Sequence, residues 1–343
     1  MTTTHTPSDL KPRIMAELDR HPYRVPAWLR WNHGQTVWSP WFRRKDLPAY
    51  RLEQIDTPDD DFLRLHVLDG KPDAPTALLL HGLEGSVRSG YNIGLALQLS
   101  NAGWRVVAME FRSCGGVMNR AKRLYHSGET TDLAFVVDYL IDQNPDTRIY
   151  IAGTSLGGNV TAKWLGESAE SIPDNVAGAA VVCPPFDMLR AGPHIDQVLG
   201  GRYVKHFLKT LIPKAIEKEA QYPGCVDIKR VCASQTFEEF DTWGTAAIHG
   251  FEDAFDYWRK VACGQFLPHI RVPTMLVAAA DDPFNPADTL PHETAAESPH
   301  LYPQFTKRGG HVGFVYGSPW RPRYWAEEQV RRFFQLAEES ILR

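Results

Sequence analysis

Apolar runs along the chain alternate with segments that are apolar on one side only. Runs such as TALLLHG, ended by turn-forming residues, are typical of buried strands, whereas apolar residues every three to four positions are typical of packed helices. The predicted strands are YRLEQI, DFLRLHVL, TALLLHG, WRVVAMEF, RIYIAG, VAGAAVVCPP, PTMLVAAADD and HLYPQFTKRGGH. The predicted helices are YNIGLALQLSNAG, TTDLAFVVDYLIDQNP and residues 156–167, 287–297 and 321–342.

Regular alternation of strand and helix implies a parallel sheet with helices on both faces. We therefore predict an α/β protein whose core comprises residues 49–183 and 272–343. Residues 184–271 contain helical, aromatic-rich sequence and no strand-like run, so they are predicted to form a helical cap over one edge of the sheet. The aromatic residues of this cap are interpreted either as ordinary packing or as the wall of an apolar pocket.

The N-terminal residues 1–48 are rich in proline and tryptophan and fit neither a helical nor a strand period. The tryptophans in question are Trp28, Trp31, Trp38 and Trp41. We predict an irregular lead segment that packs on the core.

Charge and cysteine content exclude several classes of protein. The formal net charge is −4, and lysine and arginine are spread along the chain, so no nucleic-acid-binding surface is predicted. The five cysteines form no CxxC pair, which argues against a zinc site and against a disulfide framework. No metal or organic cofactor is expected.

The sequence gives no sign of a targeting or membrane-spanning segment. The stretch MTTTHTPSDLKPR lacks the apolar centre of a signal peptide, and no apolar run approaches the ~18 residues of a spanning helix. A cytoplasmic protein is expected. Peripheral contact with a membrane and the oligomeric state are left open.

A serine lies between two glycines where a predicted strand gives way to a predicted helix. Gly153-Thr154-Ser155-Leu156-Gly157 matches the G-x-S-x-G pattern in the strand–turn–helix setting that supports a nucleophilic serine. The flanking glycines are expected because a side chain there would collide with the neighbouring strand or helix. A phosphate-binding loop is disfavoured because Asn159 stands where lysine would be needed.

A serine hydroxyl needs a base, and the base needs an orienting acid. In the fold that carries this motif, the acid and the histidine follow the last two strands. His311, behind two glycines, has that position, while Asp281 and Asp282 both follow the strand before it. Asp282 is preferred because it lies four residues before Pro286, and Asp281 remains the alternative.

An oxyanion formed during acyl transfer needs two backbone donors. We predict the N–H groups of Leu156, directly after the serine, and of Leu83, in the early loop HGLEGS. His81, at the start of the same loop, is interpreted as a structural residue that steadies the loop.

Taken together, the motifs resemble the α/β-hydrolase superfamily and, within it, the YheT-like esterases. The resemblance covers most of the chain. It is carried by NHGQTVW, HGLEGS, FRSCGG, RLYHSGETTDL, GTSLGGN, FEEFD, GFEDAFDYW, AADDPF and GGHVGF. It implies an α/β-hydrolase fold and a serine carboxylic-ester hydrolase acting on short- to medium-chain or lipid-like esters.

The residues and the resemblance therefore predict ester hydrolysis by Ser155, His311 and Asp282, with a small-molecule ester as the partner. Two other functions remain. The same residues could pass the acyl group to an alcohol or amine, or the chain could be a non-catalytic binding protein of this fold.

Overall fold

The computed structural model describes residues 7–43 and 46–342 of the 343-residue chain. Residues 1–6, 44, 45 and 343 lie outside the described residues. Residues 1–6 are the first part of the stretch MTTTHTPSDLKPR, which lacks the apolar centre of a signal peptide.

Ten strands are present in the described residues. They are β1 (Arg51–Thr57), β2 (Asp61–Leu68), β3 (Thr76–Leu80), β4 (Arg105–Glu110), β5 (Ile149–Thr154), β6 (Val176–Val182), β7 (Thr274–Ala279), β8 (Leu301–Thr306), β9 (Val315–Ser318) and β10 (Arg321–Tyr324). The first eight form one sheet in the order β1-β2-β4-β3-β5-β6-β7-β8. From β4 to β8 all neighbours are parallel, whereas β2 is antiparallel to both of its neighbours. The predicted mostly parallel sheet is confirmed.

Thirteen α-helices are present in the same described residues. They are α1 (Pro7–Asp19), α2 (Asn32–Phe42), α3 (Gly90–Asn101), α4 (Thr131–Gln143), α5 (Leu156–Glu167), α6 (Met188–Gln197), α7 (Arg202–Gln221), α8 (Ile228–Ala233), α9 (Phe237–Phe240), α10 (Ala247–His249), α11 (Ala254–Val261), α12 (His292–Glu297) and α13 (Trp325–Ile341). A π-helix occupies Asp241–Ala246, between α9 and α10.

Helices cover both faces of the sheet, as the alternation of strand and helix predicts. Successive strand side chains point to opposite faces. Leu78 and Leu80 of β3 therefore lie in the apolar cluster with α4 and α5, while Leu79 lies in the cluster with α1, α3 and α13. Burial of both faces explains why these strands are continuously apolar.

The prediction of an irregular lead segment is wrong, because residues 7–42 contain α1 and α2. Helix α1 buries Ile14 and Leu18, which lie four residues apart, against the sheet cluster. Helix α2 buries Gln35 and Ser39 at the same spacing. Since the buried face of α2 is polar and its tryptophans lie elsewhere on the helix, a search for apolar periodicity misses it.

The predicted last helix begins four residues later than expected. Residues 321–324 pair with residues 315–318 as the two-stranded hairpin β9–β10, and α13 starts only at Trp325. Pro322 explains the difference, because the residue before a proline is disfavoured in a helix.

Residues 184–271 contain α6 to α11 and no strand. These helices have apolar clusters of their own, which also contact Leu83 and Phe284 of the sheet-edge loops. The assignment of this segment as a separate cap unit stays a prediction.

Candidate active site

Ser155 lies on the turn between β5 and α5, in a backbone conformation that side chains rarely adopt. Its φ and ψ are 54° and −117°. A Cβ atom added at Gly153 would lie 2.3 Å from the carbonyl oxygen of Gly157, and one added at Gly157 would lie 2.6 Å from that of His81. The turn therefore needs both glycines, as expected, and the fold holds the serine in a strained position at the sheet edge.

His311 contacts both the serine and an aspartate. Its Nε2 lies 3.0 Å from Ser155 Oγ, and its Nδ1 lies 2.8 Å from Asp282 Oδ2. A carboxylate can only accept here, so Nδ1 carries the proton and Nε2 is left to accept from the hydroxyl. This is the arrangement in which an imidazole can act as a base toward serine.

The two neighbouring aspartates have different partners. Asp282 is buried and accepts a hydrogen bond from the backbone N–H of Phe284 (2.7 Å) and from the side-chain amide of Asn285 (3.1 Å). Asp281 instead accepts the backbone N–H of Gly310 at 2.9 Å. Of the two sequence alternatives, the structure thus brings Asp282 to the imidazole.

The two amides predicted to bind an oxyanion line the same cavity as Ser155. Among residues 7–43 and 46–342, the backbone N–H groups of Leu83 and Leu156 have no hydrogen-bond acceptor. The amides on either side of Leu83 are occupied, since those of Gly82 and Glu84 each donate to a tyrosine hydroxyl at 2.8 Å. Both predicted donors are thus available to a ligand.

His81 lies beneath this loop and is fully buried. Its Nδ1 donates to the carbonyl of Gly82 at 2.8 Å, and its Nε2 accepts the N–H of Phe111 at 3.2 Å. Burial lowers the pKa of His81 to about 4, so the ring is neutral at pH 7. These contacts join the loops after β3 and β4, in agreement with a structural role.

Helix α2 holds the histidine loop in place, a role that sequence reasoning misses. The hydroxyl of Thr36 accepts the backbone N–H of His311 at 3.0 Å. Asn32 donates to the carbonyl of Asp281 at 2.8 Å, and Gln35 accepts the N–H of Val315 at 2.7 Å. Asn32, Gln35 and Thr36 all belong to the NHGQTVW motif, so the loop that α2 binds explains why Gln35 is buried in this helix.

Phe284 is a second neighbour of the histidine that the sequence does not assign. Its ring stacks on that of His311, with centroids 4.1 Å apart. Tyr203, from α7, packs edge-on against Phe284 at 4.8 Å. The only sequence signal is the position of Phe284, two residues after Asp282, because Tyr203 comes from a helix distant in sequence.

A large cavity extends from Ser155 beneath helices α6 to α11. It encloses about 1120 Å³ of space free of atoms, part of it open to solvent. Five of the aromatic residues between β6 and β7 line it, namely Phe207, Phe237, Phe240, Tyr257 and Trp258. Others in the same segment, such as Phe255, do not, so these aromatic residues serve both as pocket wall and as packing.

The titratable groups in the cavity wall are mostly held uncharged or paired. Burial lowers the pKa of His126 to about 4 and that of His249 to about 2. Burial also raises the pKa of Asp241 to about 6, and this carboxylate accepts hydrogen bonds from the hydroxyl of Thr245 and the indole N–H of Trp258. Lys214 is paired with Glu84 at 2.6 Å. A wall of this kind suits an uncharged, apolar ligand better than an ionic one.

One group of side chains has the spacing of metal ligands in the described part of the chain. It consists of Cys183, Asp282 and His311, whose ligating atoms lie within 4.8 Å of one another. Two of these atoms are already joined by the 2.8 Å hydrogen bond between Asp282 and His311. Burial and the charge of Asp282 raise the pKa of the Cys183 thiol well above its usual value, so it is a neutral neighbour of the pair. The expectation of no metal stays a prediction.

The fold and the arrangement of this site are those of a known class of proteins, and comparison of the sequence with protein families identifies the same class. A sequence model described as the alpha/beta hydrolase fold matches residues 75–318. The chain therefore belongs to the α/β-hydrolase family.

Within this family the chain is a YheT-like esterase, a carboxylic ester hydrolase of the esterase and lipase type. It is 34% identical over 303 residues to "Putative esterase YheT" of Escherichia coli (strain K12), a match that covers 87% of this chain and 88% of that protein. It is 26% identical over 326 residues to Phospholipase ABHD3 of Mus musculus, covering 92% of this chain and 79% of that protein.

Solved structures agree on the fold. The Pyrococcus furiosus esterase Pf2001 superposes with a TM-score of 0.57 at 18% identity, covering 83% of this chain and 90% of that one. Among the described residues, the model contains no helix that is both long enough and apolar enough to cross a bilayer.

Proposed function

We propose that the protein hydrolyses carboxylic esters through an acyl-enzyme formed on Ser155, with His311 as base and acid and Asp282 as the residue that orients the imidazole. The observation that carries the proposal is the pair of hydrogen bonds made by His311, one at 3.0 Å to the hydroxyl and one at 2.8 Å to the carboxylate. The strained backbone of Ser155 and the two free amides beside it support the same reaction.

The reaction proceeds in two halves. In the first, Ser155 Oγ attacks the ester carbonyl carbon while its proton passes to His311 Nε2. The amides of Leu83 and Leu156 bind the negative oxygen of the tetrahedral intermediate. When the intermediate collapses, the C–O bond to the alcohol breaks and the alcohol takes the proton from His311. In the second half, water attacks the acyl carbon while giving a proton to the same imidazole. The bond between the acyl carbon and Ser155 Oγ then breaks, Oγ takes the proton back from His311, and the acid leaves.

The properties of the cavity support esters with short- to medium-chain or lipid-like acyl groups as the substrates. Its wall consists mainly of aliphatic and aromatic side chains, and His126 and His249 in that wall are neutral at pH 7. Burying an acyl chain there contributes about 0.8 kcal/mol per methylene group removed from water. We therefore expect kcat/KM to rise with acyl length until the cavity is full.

A panel of 4-nitrophenyl esters of graded acyl length tests this proposal. Ser155→Ala should lose nearly all turnover while its circular dichroism and unfolding midpoint stay close to wild type, because the small hydroxyl is removed without a new clash. Turnover of the variant at the wild-type rate would overturn the proposal. Equal rates for acetyl and octanoyl esters would count against the extended acyl pocket. Product analysis with added alcohol distinguishes hydrolysis from acyl transfer.

A further inference from the structure

The most exposed large aromatic side chains of the described residues lie on α2, at its start and on the adjoining hairpin. Trp320 is 91% exposed, Trp41 71%, Trp31 63% and Phe42 61%. We refer to these four residues as the aromatic patch. Soluble proteins rarely leave several such side chains in water together without a binding function.

Trp28 and Trp38, which lie beside the aromatic patch, contact the hairpin and Phe42. Trp28 Nε1 donates to the carbonyl of Gly317 at 2.9 Å, which ties the segment before α2 to the hairpin that carries Trp320. The ring of Trp28 lies 4.7 Å from that of Trp38, and Trp38 lies 4.8 Å from Phe42. Trp41 lies 6.5 Å from Phe42, so Trp28, Trp38, Phe42 and Trp41 form one continuous group of rings.

A second group of rings leads from Trp31, at the start of α2, to the active site. Trp31 contacts His33 at 5.3 Å between ring centroids, and the imidazole of His33 lies 2.9 Å from the hydroxyl of Tyr203. Tyr203 packs on Phe284, which stacks on His311. One end of the aromatic patch therefore lies within a few side chains of the catalytic histidine.

Exposed arginines lie beside the exposed tryptophans. Arg30 precedes Trp31, Arg321 follows Trp320, and Arg308 donates to the carbonyl of Arg30 at 3.0 Å. All three arginines are exposed. Arg30 and Arg321 make no ion pair among the described residues, whereas the charge of Arg308 acts on Asp281 and partly offsets the rise in pKa that burial causes there. Indole rings favour the boundary between water and lipid, and unpaired arginines favour anionic headgroups.

We propose that the aromatic patch seats the protein on a phospholipid surface that contains anionic lipid. A second copy of the chain is the less suitable occupant, because a two-fold interface formed by this patch would bring two surfaces of the same positive charge together. Lipid headgroups supply the opposite charge. Such contact would bring Trp31, and through it the surroundings of His311, close to a source of apolar esters. The inference rests on the proposed function only in explaining what membrane contact would be for; binding itself does not require ester hydrolysis.

Sedimentation with sucrose-loaded vesicles tests the proposal. The wild-type chain should bind vesicles of phosphatidylcholine with phosphatidylglycerol, and should bind less tightly as salt is raised. Trp41→Ala combined with Trp320→Ala should lower the partition coefficient by at least about tenfold, since two exposed indoles no longer reach the lipid. The matched control is Leu52→Ala on the edge strand β1, where a side chain 52% exposed lies outside the aromatic patch.

Several outcomes would overturn the proposal. These are no binding to the vesicles of phosphatidylcholine with phosphatidylglycerol, binding that the double variant retains, or a dimer in sedimentation velocity that the double variant abolishes. Hydrolysis of a water-soluble acetyl ester, measured without vesicles, should not change in the double variant. Ser155→Ala should bind vesicles as the wild type does, so a failure of ester hydrolysis and a failure of membrane contact are observed separately.

Discussion

Replacing Asp282 by asparagine should reduce kcat by about 10³–10⁴-fold, because it reverses the hydrogen bond that orients His311. One oxygen of Asp282 accepts the N–H of Phe284, and the other accepts from both His311 and Asn285. An asparagine that keeps its oxygen toward Phe284 must turn its NH₂ group toward His311. The imidazole then accepts at Nδ1, carries its proton on Nε2 and cannot take the proton of Ser155. A loss of this size corresponds to about 4–5 kcal/mol of transition-state stabilisation.

The neighbouring carboxylate provides a matched control. Asp281 accepts the N–H of Gly310, and an asparagine oxygen can accept the same bond, so Asp281→Asn should change kcat by less than about tenfold. Both variants are assayed with one soluble ester at saturating concentration, after their unfolding midpoints have been compared. Greater damage from Asp281→Asn than from Asp282→Asn would refute the assignment of the orienting acid.

Two further predictions concern stability. Arg112→Met should lower the free energy of unfolding by about 3–5 kcal/mol in a urea titration. The reason is that the buried guanidinium pairs with three carboxylates, those of Asp59, Asp61 and Asp132. A change below about 1 kcal/mol would show that this network is dispensable. For His81, burial lowers the pKa to about 4, whereas the unfolded chain binds the proton near pH 6.5. The wild type should therefore lose about 3 kcal/mol relative to His81→Asn as pH falls from about 6.5 to about 4. Parallel pH dependences of the two proteins would contradict the buried neutral imidazole.

The parallel sheet could be predicted because burial on both faces leaves a direct mark on the sequence. Strands β3 to β7 are continuously apolar, and each is followed by a helix or a turn. The serine turn could also be predicted, since the backbone at Ser155 needs glycines at fixed positions on either side. The order of the acid and the histidine then followed from where the last strands end.

The support of the site could not be predicted, because it depends on contacts between distant parts of the chain. Helix α2 is stabilised by polar contacts of Gln35 and Thr36 with residues about 280 positions away, which no periodicity records. Asp281 and Asp282 are chemically alike, so only the three-dimensional path of the loop separates them. The hairpin at residues 315–324 could not be predicted either, because each of its strands is only four residues long and alternation over so few residues cannot be distinguished from the first turn of a helix.

Mapping the site of a fluorophosphonate adduct tests the central claim most directly. The reagent modifies a serine only when a neighbouring base activates its hydroxyl. Mass spectrometry of the digested protein should find the adduct on Ser155. His311→Ala should slow its formation by orders of magnitude, and Ser155→Ala should abolish it. An adduct on another residue, or active ester hydrolysis by a protein that the reagent leaves unmodified, would contradict the account.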